Sequence, residues 1–412
     1  MSELWDAIIV GAGPAGLMAA ARLPGLRVLV LEKNRAAARK LLLSGGGHCN
    51  LTHLGSAREL RARYGGHGDF LRPALGSLSN HGLQAFLAGR GVACRAEPDG
   101  RVLPASGRAA DVRAALLGAL GQAGAELRPA AAVRTLRALP AGGFELEVPG
   151  GPVRTRAVLV ATGGLAYPRT GSTGDGLAWA RALGHRVVAP RPALAPIALE
   201  DADLRALSGL TLPRAGLSLW RADRRAERTE GETLLTHQGL SGPAALDLSR
   251  WARPGDRLTL DLLSPGAGNR ELARARVLDG FGRAGARSVR TVVRALTPSE
   301  RLAELFLARA GLSGERKAAG VGRAERHRLA DLLCDLPLAV RGVGGFEVAM
   351  VTAGGVALEE VDPATLESRL IPGLFLAGEV LDVDGDCGGY NLQAAFSTGH
   401  LAAAGLRARL AP

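Results

Sequence analysis

The stretch AIIVGAGPAGLMAAARLPGLRVLVLE, residues 7–32, decides the fold class of this chain. An apolar run enters GAGPAG, a helical pattern follows, and a second apolar run ends in an acid, which predicts a βαβ unit. Gly11 allows a tight turn, Gly13 lets the backbone approach a pyrophosphate, and Gly16 lets helix and strand pack closely. The pattern predicts a dinucleotide site, rather than an inert glycine turn, that uses Gly11, Gly13, Pro14, Ala15, Gly16 and the ribose acceptor Glu32.

Three later segments favour FAD over NAD. Arg39 and Lys40 precede a second glycine loop, SGGG at residues 44–47, which suits a large cofactor better than a flexible surface loop would. The apolar run 157–161 ends in Thr162-Gly163-Gly164, and residues 131–134 resemble a strand whose backbone meets an adenine edge. The predicted contacts in these segments are Lys33, Arg39, Lys40, Ser44, Gly45, Gly46, Asn50, Leu51, Val133, Thr162, Gly163 and Gly164.

The C-terminal stretch AGEVLDVDGDCGGYNLQAAFSTG, residues 377–399, reads as strand, loop and helix. We expect its strand beside the first strand, and a helix opened by residues 388–392 whose N-terminal amides face the flavin pyrimidine. Asp382 and Asp386 are expected to be solvated. The stretch lacks the glutamate of a calcium loop, so no metal is predicted. Its predicted cofactor contacts are Gly378, Glu379, Asp384, Gly389, Asn391 and Leu392.

Composition sets the broad class of the protein. A chain of 412 residues with 47% hydrophobic and 22% charged residues is globular, with two or three units expected. The net charge of +12 favours acidic partners, although a generally basic surface explains it equally well. The cysteines show no CxxC spacing, and the sequence shows no signal peptide and no long apolar run. A cytoplasmic protein without a membrane span is therefore expected.

Six sequence blocks together resemble one flavoprotein family. They are GAGPAG, LLLSGGGHCNLTH, ATGG with TGSTGDG, THQGLSGPAALDLS, VTAGGV and GEVLDVDGDCGGYNLQ. The chain resembles the BaiN/RdsA-like NAD(P)/FAD-dependent oxidoreductases, an aminoacetone-oxidase-like FAD-binding family, except that His48 stands where arginine is frequent. The resemblance implies an α/β fold: a Rossmann-like two-dinucleotide-binding FAD domain, split in sequence (1–190 and 351–412). Into it are inserted a β-barrel (191–265 and 336–350) and a small helical cap (266–335).

The resemblance also implies a reaction. The family's activities reduce a C=C bond conjugated to a carbonyl, either in steroid-like acids or in a uracil base of ribosomal RNA, giving dihydrouridine. No second GxGxxG is present, so NAD(P)H would dock transiently as electron donor. Two other classes stay open: a small-molecule enone reductase or amine oxidase without an RNA partner, and a non-catalytic flavin-binding protein.

Two sets of residues are candidates for contact with the substrate. His237, Cys387 and Tyr390 are the catalytic candidates, although each could instead cap a turn, fill the core or pack on a ring. Arg283, Arg287, Arg290 and Arg294 recur at helical spacing opposite buried valines. That stripe suits an RNA backbone, and the alternative is a solvated arginine-rich face.

Overall fold

The computed structural model describes residues 4–411, which divide into two compact units. Unit 1 comprises Met1–Pro192 and Met350–Pro412, and unit 2 comprises Ala193–Ala349. Over residues 4–411, no helix is both long enough and apolar enough to cross a membrane.

The first ten strands are β1 (Leu4–Val10), β2 (Val28–Leu31), β3 (Thr52–His53), β4 (Cys94–Ala96), β5 (Arg101–Pro104), β6 (Glu126–Arg128), β7 (Thr135–Ala138), β8 (Phe144–Val148), β9 (Gly151–Val160) and β10 (Val187–Ala193). They are followed by β11 (Ile197–Leu199), β12 (Thr211–Arg221), β13 (Arg224–Leu235), β14 (Gly239–Ser241), β15 (Arg257–Asp261), β16 (Leu336–Val343), β17 (Val351–Val356) and β18 (Leu374–Leu376).

The α-helices of the first half are α1 (Pro14–Ala20), α2 (Ala57–Ala62), α3 (Arg72–Ser77), α4 (Asn80–Ala88), α5 (Ala109–Gln122), α6 (Asp175–Ala182) and α7 (Ala202–Arg205). Those that follow are α8 (Pro243–Ser249), α9 (Ser264–Ala267), α10 (Arg270–Ala284), α11 (Val289–Arg294), α12 (Glu300–Ala310), α13 (Arg323–Cys334) and α14 (Tyr390–Leu410). Short 3₁₀ segments lie at Leu41–Gly47, Gly65–His67, Pro168–Thr170, Ala318–Gly320 and Leu358–Glu360.

The central sheet of unit 1 has the order β6-β2-β1-β9-β8-β7, with β18 also paired to β9. Strand β1 is parallel to both β2 and β9. Its side chains alternate between two apolar clusters: Ala7 and Ile9 pack on one face of the sheet, and Ile8 and Val10 pack on the other. Both faces are therefore covered, as in a doubly wound α/β fold.

The predicted position of the C-terminal strand beside β1 is wrong. Strand β9 occupies that position, with its register running from Leu4↔Arg154 to Val10↔Val160. The other edge of β9 is divided, because β8 pairs antiparallel with its first half and β18 pairs parallel with its last three residues, 158–160. The length of β9, ten residues, is what allows one strand to serve three neighbours.

Unit 2 contains a closed barrel of the order β11-β14-β13-β12-β15-β16. The predicted alternating strands pair antiparallel within it, with Leu217 opposite Leu260 and Leu219 opposite Leu258, all buried. Helices α10 to α13 follow β15 and precede β16. Their apolar residues, among them Phe281 and Phe306, belong to the same buried cluster as the barrel strands. The predicted Rossmann-like fold with a barrel is confirmed.

The four arginines that recur at helical spacing do not lie on one helix. Helix α10 ends at Ala284, and Gly285 takes φ +53° and ψ −117°, a conformation that breaks the helix. Helix α11 begins only at Val289, capped by the Ser288 side chain. Arg283 therefore lies in α10, Arg287 in the connecting turn, and Arg290 and Arg294 in α11.

Candidate functional site

The GAGPAG turn joins β1 to α1 through close backbone contacts. Gly11 has φ +104°, and a Cβ on it would lie 2.5 Å from the Ala161 carbonyl oxygen. A Cβ on Gly16 would lie 2.0 Å from the Gly11 carbonyl oxygen. At Gly13, by contrast, a Cβ would meet nothing within 4 Å. Since the first amides of α1, at Ala15 among others, have no acceptor within the helix, the open side of this turn offers N–H donors.

Glu32, at the end of β2, is buried and already holds three donors. Its Oε2 accepts from the Ala12 amide at 3.0 Å. Its Oε1 accepts from the Asn34 amide at 2.8 Å and from Asn34 Nδ2 at 2.7 Å. Arg39 donates to Asn34 Oδ1 at 3.0 Å, so this guanidinium acts on Glu32 through Asn34. Sequence reasoning missed Asn34, which lies only two residues beyond Glu32.

Lys33 fastens the loop that precedes α6. Its ammonium donates to Thr173 and forms an ion pair of 2.7 Å with Asp175. Asn34 Nδ2 also donates to the Thr170 carbonyl oxygen at 3.1 Å. The predicted cofactor residue Lys33 thus has its charge neutralised within the chain, and residues 170–175 are tied to the end of β2.

The second glycine loop has a tightly turned backbone. Gly45, Gly46 and Gly47 all have positive φ, and Ser44 Oγ donates to the Leu41 carbonyl oxygen at 2.7 Å. Asn50 Oδ1 is buried and has no hydrogen-bond partner among residues 4–411. Leu51 is buried, and a Cβ on Gly46 would face open space. The loop therefore exposes backbone at Gly46 and holds an unsatisfied acceptor beneath it.

Four distant segments meet at Glu379. Its carboxylate accepts from Lys40 Nζ at 2.8 and 3.0 Å and from the Thr352 amide at 3.0 Å. A Cβ on Gly164 would lie 2.9 Å from Glu379 Oε1, so only glycine fits there. Gly163 precedes it with φ +74°, and Gly378, next to Glu379, has φ +76°. The predicted residues Lys40, Gly164 and Glu379 are thus brought together.

The end of β9 carries a second unsatisfied polar atom. Thr162 Oγ1 is buried without a hydrogen-bond partner in the part of the chain that the structure describes. Residues 131–134 do not form the predicted strand; β7 begins only at Thr135, and Val133 is buried. The Ala131 amide donates to the Glu32 carbonyl oxygen at 2.9 Å, so this segment still returns to the end of β2.

The C-terminal loop packs against β3. Gly389 caps α14 with φ +105°, and a Cβ there would lie 2.5 Å from the Thr52 carbonyl oxygen. The Tyr390 ring stacks on His53 with centroids 5.0 Å apart. Asn391 closes the loop, because it accepts from the Gly385 amide at 2.8 Å and donates to the Gly385 carbonyl oxygen at 2.9 Å. Leu392 is half-buried in the first turn of α14.

The expectation that Asp382 and Asp386 are solvated is wrong, because their side chains are only 15% and 20% exposed. Asp384, a predicted cofactor contact, is buried. Burial raises the pKa of Asp382, and the neighbouring charge of Asp384 raises it further, while His67 at 4.0 Å opposes both effects. Two acids whose charges repel one another therefore lie in the loop that ends at α14.

The catalytic candidates lie in different units. In unit 1, Cys387 lies in the C-terminal loop and Tyr390 is the first residue of α14. His237 lies in unit 2, where it is exposed in the turn between β13 and β14. Thr236 Oγ1 stabilises this turn by accepting a hydrogen bond from the Gly239 amide at 3.1 Å. The N-cap of α8 is Gly242, and Ser241 before it ends β14.

Comparisons with known proteins identify relatives along the whole chain. Residues 5–405 match the family described as HI0933-like protein Rossmann domain. The chain is 30% identical to a ribosomal RNA dihydrouridine synthase of Haemophilus influenzae, over 98% of both chains. It is 31% identical to a 3-dehydro-bile acid delta(4,6)-reductase of Clostridium scindens, over 96% of this chain and 97% of the relative.

Solved structures support the fold. A Rhodococcus jostii 3-ketosteroid-delta4-(5alpha)-dehydrogenase superposes with a TM-score of 0.52 at 17% identity, covering 98% of this chain and 96% of that chain. An Escherichia coli quinol fumarate reductase chain gives a TM-score of 0.52 at 16% identity, covering 100% of this chain and 71% of that one. At such identities the likeness concerns the fold. The family match and the full-length relatives show that this chain belongs to the HI0933-like family, the BaiN/RdsA-like flavoprotein family that its sequence blocks predicted.

Proposed function

We propose that this protein is an FAD-dependent reductase of a C=C bond conjugated to a carbonyl, and that its substrate is a uracil base of ribosomal RNA. The observation that carries this proposal is the pair of full-length relatives, a ribosomal RNA dihydrouridine synthase and a bile acid delta(4,6)-reductase. Making dihydrouridine saturates the C5=C6 bond beside a uracil carbonyl, and the bile acid reaction saturates double bonds conjugated to a ketone. One chemistry therefore serves both.

The residues present fit FAD. At Gly13 and Gly46 a side chain would occupy open space, which leaves room for a ligand against the backbone. Asn50 Oδ1 and Thr162 Oγ1 are buried without partners among the described residues, and a bound polar cofactor would satisfy such atoms. The GAGPAG turn and Glu32 would hold the pyrophosphate and the ribose, while the second glycine loop, the end of β9 and the C-terminal loop would hold the rest of the molecule.

Each unit-1 element has a defined task in this proposal. Bound FAD supplies hydride transfer between its N5 atom and an organic substrate. The first turn of α14 presents amides at the positive end of a 21-residue helix, where negative charge is stabilised. The ion pair between Lys40 and Glu379 holds Gly164 and Thr352 in position beside it. Cys387 and Tyr390 stay the candidates for protonating the substrate carbon, with His237 as a third.

The electron donor in this proposal is NAD(P)H, which docks transiently because the chain carries one GxGxxG sequence. Anaerobic addition of NADH or NADPH should bleach the flavin absorbance of the holoprotein. A flavin that neither nucleotide reduces would support the non-catalytic alternative. A cytoplasmic location, where ribosomes are made, belongs to the same proposal.

The decisive test is the dihydrouridine content of ribosomal RNA from cells with and without this gene. Deletion should remove one dihydrouridine, and the wild-type gene should restore it. An unchanged content would refute the RNA substrate. The second candidate, a small enone reductase, is favoured by the 31% identity to the bile acid enzyme and predicts salt-insensitive reduction of a free enone.

A further inference from the structure

Helices α10 to α13, residues 270–334, form the helical segment of unit 2. Its arginines differ in whether a carboxylate neutralises them. Arg290 pairs with Glu304 at 2.7 Å and with Glu315 at 3.1 Å. Arg294 pairs with Glu300 at 3.2 Å. Other arginines of the segment are also paired: Arg270 with Asp335, Arg274 with Asp331, Arg309 with Asp201 and Asp203, and Arg316 with Glu325. A net count of basic residues therefore overstates the charge available to a partner.

Some exposed cations of the same segment make no such pair, and three of these lie close together in the fold. Arg283, Arg287 and Lys317 are exposed, and none has an ion pair with a carboxylate of residues 4–411. Asp279 lies one turn before Arg283 on α10, and the two side chains do not pair either. These three cations keep their charge for a ligand from solution.

Backbone pairing brings the three cations to one end of α10. Ser288 forms an antiparallel bridge with Lys317, and the Ala318 amide donates to the Arg287 carbonyl oxygen at 2.9 Å. The Ala319 amide donates to the Gly285 carbonyl oxygen at 3.3 Å, directly after the last turn of α10, which carries Arg283. We call Arg283, Arg287 and Lys317 the unpaired cation surface.

We propose that the unpaired cation surface binds the phosphate backbone of RNA, an inference that rests on the RNA substrate proposed above. Each unpaired cation that contacts a phosphate releases a condensed counterion, whereas Arg290 would first have to share its guanidinium with Glu304 and Glu315. No large apolar side chain of residues 282–288 or 315–320 is exposed, which argues against a membrane surface as the partner. Small residues such as Ala286 and Gly320 flank the cations and leave room for a polymer backbone.

The test compares two double variants that remove equal charge. Arg283→Gln/Arg287→Gln removes two unpaired cations, and Arg290→Gln/Arg294→Gln removes two paired ones. The FAD-loaded proteins are titrated with fluorescein-labelled oligouridylate at NaCl concentrations of about 50 to 200 mM. At about 0.7 per phosphate contact, the first variant should lower the salt slope by about 1.4 and weaken binding roughly tenfold. The second variant should leave the slope unchanged. Lys317→Gln alone should lower it by about 0.7.

Equal losses in the two double variants would overturn the proposal, because they would mean that net charge alone matters. The proposal would also be overturned if the first variant bound RNA as tightly as the wild type. It would be overturned as well if the first variant lost affinity for phosphatidylserine vesicles but not for RNA. In cells that lack the gene, the first variant should restore less dihydrouridine than the second. If the wild-type gene itself restores none, the proposed function fails; if both variants restore it fully, only the unpaired cation surface fails.

Discussion

The GAGPAG turn of unit 1 and the helical segment of unit 2 both stand out in the sequence by the spacing of their residues, but spacing carries different information in the two regions. In the turn, spacing fixes contacts between neighbours, such as the 2.0 Å that would separate a Cβ on Gly16 from the Gly11 carbonyl oxygen. In the helical segment, Gly285 breaks the expected stripe, and the partners of Arg290 come from residues 304 and 315. Local geometry can be predicted from spacing, whereas ion pairing depends on the tertiary fold.

The largest effect is expected for Gly16→Ala. The new Cβ would meet backbone rather than a flexible side chain, so strand and helix must separate. We expect the apoprotein to lose about 3 kcal/mol or more of unfolding free energy, measured by urea denaturation. Gly118→Ala is the matched control, because it lies exposed in α5 with open space around it and should stabilise by about 0.5–1 kcal/mol. A Gly16→Ala protein of wild-type stability would contradict the claim that residue spacing fixes the close contacts of the GAGPAG turn.

The next effect is expected for Arg309→Met in unit 2. Arg309 joins α12 to Asp201 at 2.8 Å, to Asp203 at 2.7 Å and to the Pro337 carbonyl oxygen at 3.1 Å, with 20% of its side chain exposed. Removing it strands two carboxylates, so we expect a loss of about 2 kcal/mol in urea denaturation. Arg294→Met, whose pair with Glu300 is exposed, should cost less than about 0.5 kcal/mol. Equal costs would show that tertiary pairing does not distinguish these arginines.

A smaller and more selective effect is expected for Gly13→Ala. Its Cβ would enter open space, so the unfolding free energy of the apoprotein should stay within about 0.5 kcal/mol of wild type. The same Cβ would occupy the proposed pyrophosphate site, so FAD should bind at least about tenfold more weakly, which is about 1.4 kcal/mol. Quenching of flavin fluorescence on titration measures the change. Unaltered FAD affinity would refute the assignment of this turn to the cofactor.

The smallest effect concerns pH and Asp382. Because burial and Asp384 hold the pKa of Asp382 above its ordinary value of 3.8, the ionised carboxyl destabilises the folded protein at neutral pH. That cost decreases as the pH falls through the raised pKa and is absent below 3.8. Asp382→Asn should therefore be more stable than wild type at pH 7, by less than about 1 kcal/mol, and the two should converge on acidification. A variant that is less stable than wild type at pH 7 would contradict this sign.

The elements that sequence predicted best are those encoded in a few consecutive residues. Strand β1, the turn at Gly11 and the alternating barrel strands follow from apolar period and glycine spacing. The position of β18 next to β9 was missed, because nothing local shows that β9 is long enough to serve three neighbours. The Lys40–Glu379 pair joins residues far apart in sequence, and the contact of Tyr390 with His53 depends on where α14 begins. Each of these contacts requires the completed fold before it can be recognised.

Helix α14 has a consequence for the order of events during translation. A Cβ on Gly399 would lie 2.2 Å from the Ala15 carbonyl oxygen, so the last helix packs directly on the first. Unit 2, residues 193–349, leaves the ribosome before β18 and α14 exist, and a barrel that closes on its own strands can fold at that time. The amino-terminal βαβ turn, although synthesised first, must wait for the final residues to cover it. With FAD at the proposed site, we expect only a nearly finished polypeptide to bind it, and truncation near the C-terminus should remove cofactor binding while leaving the barrel folded.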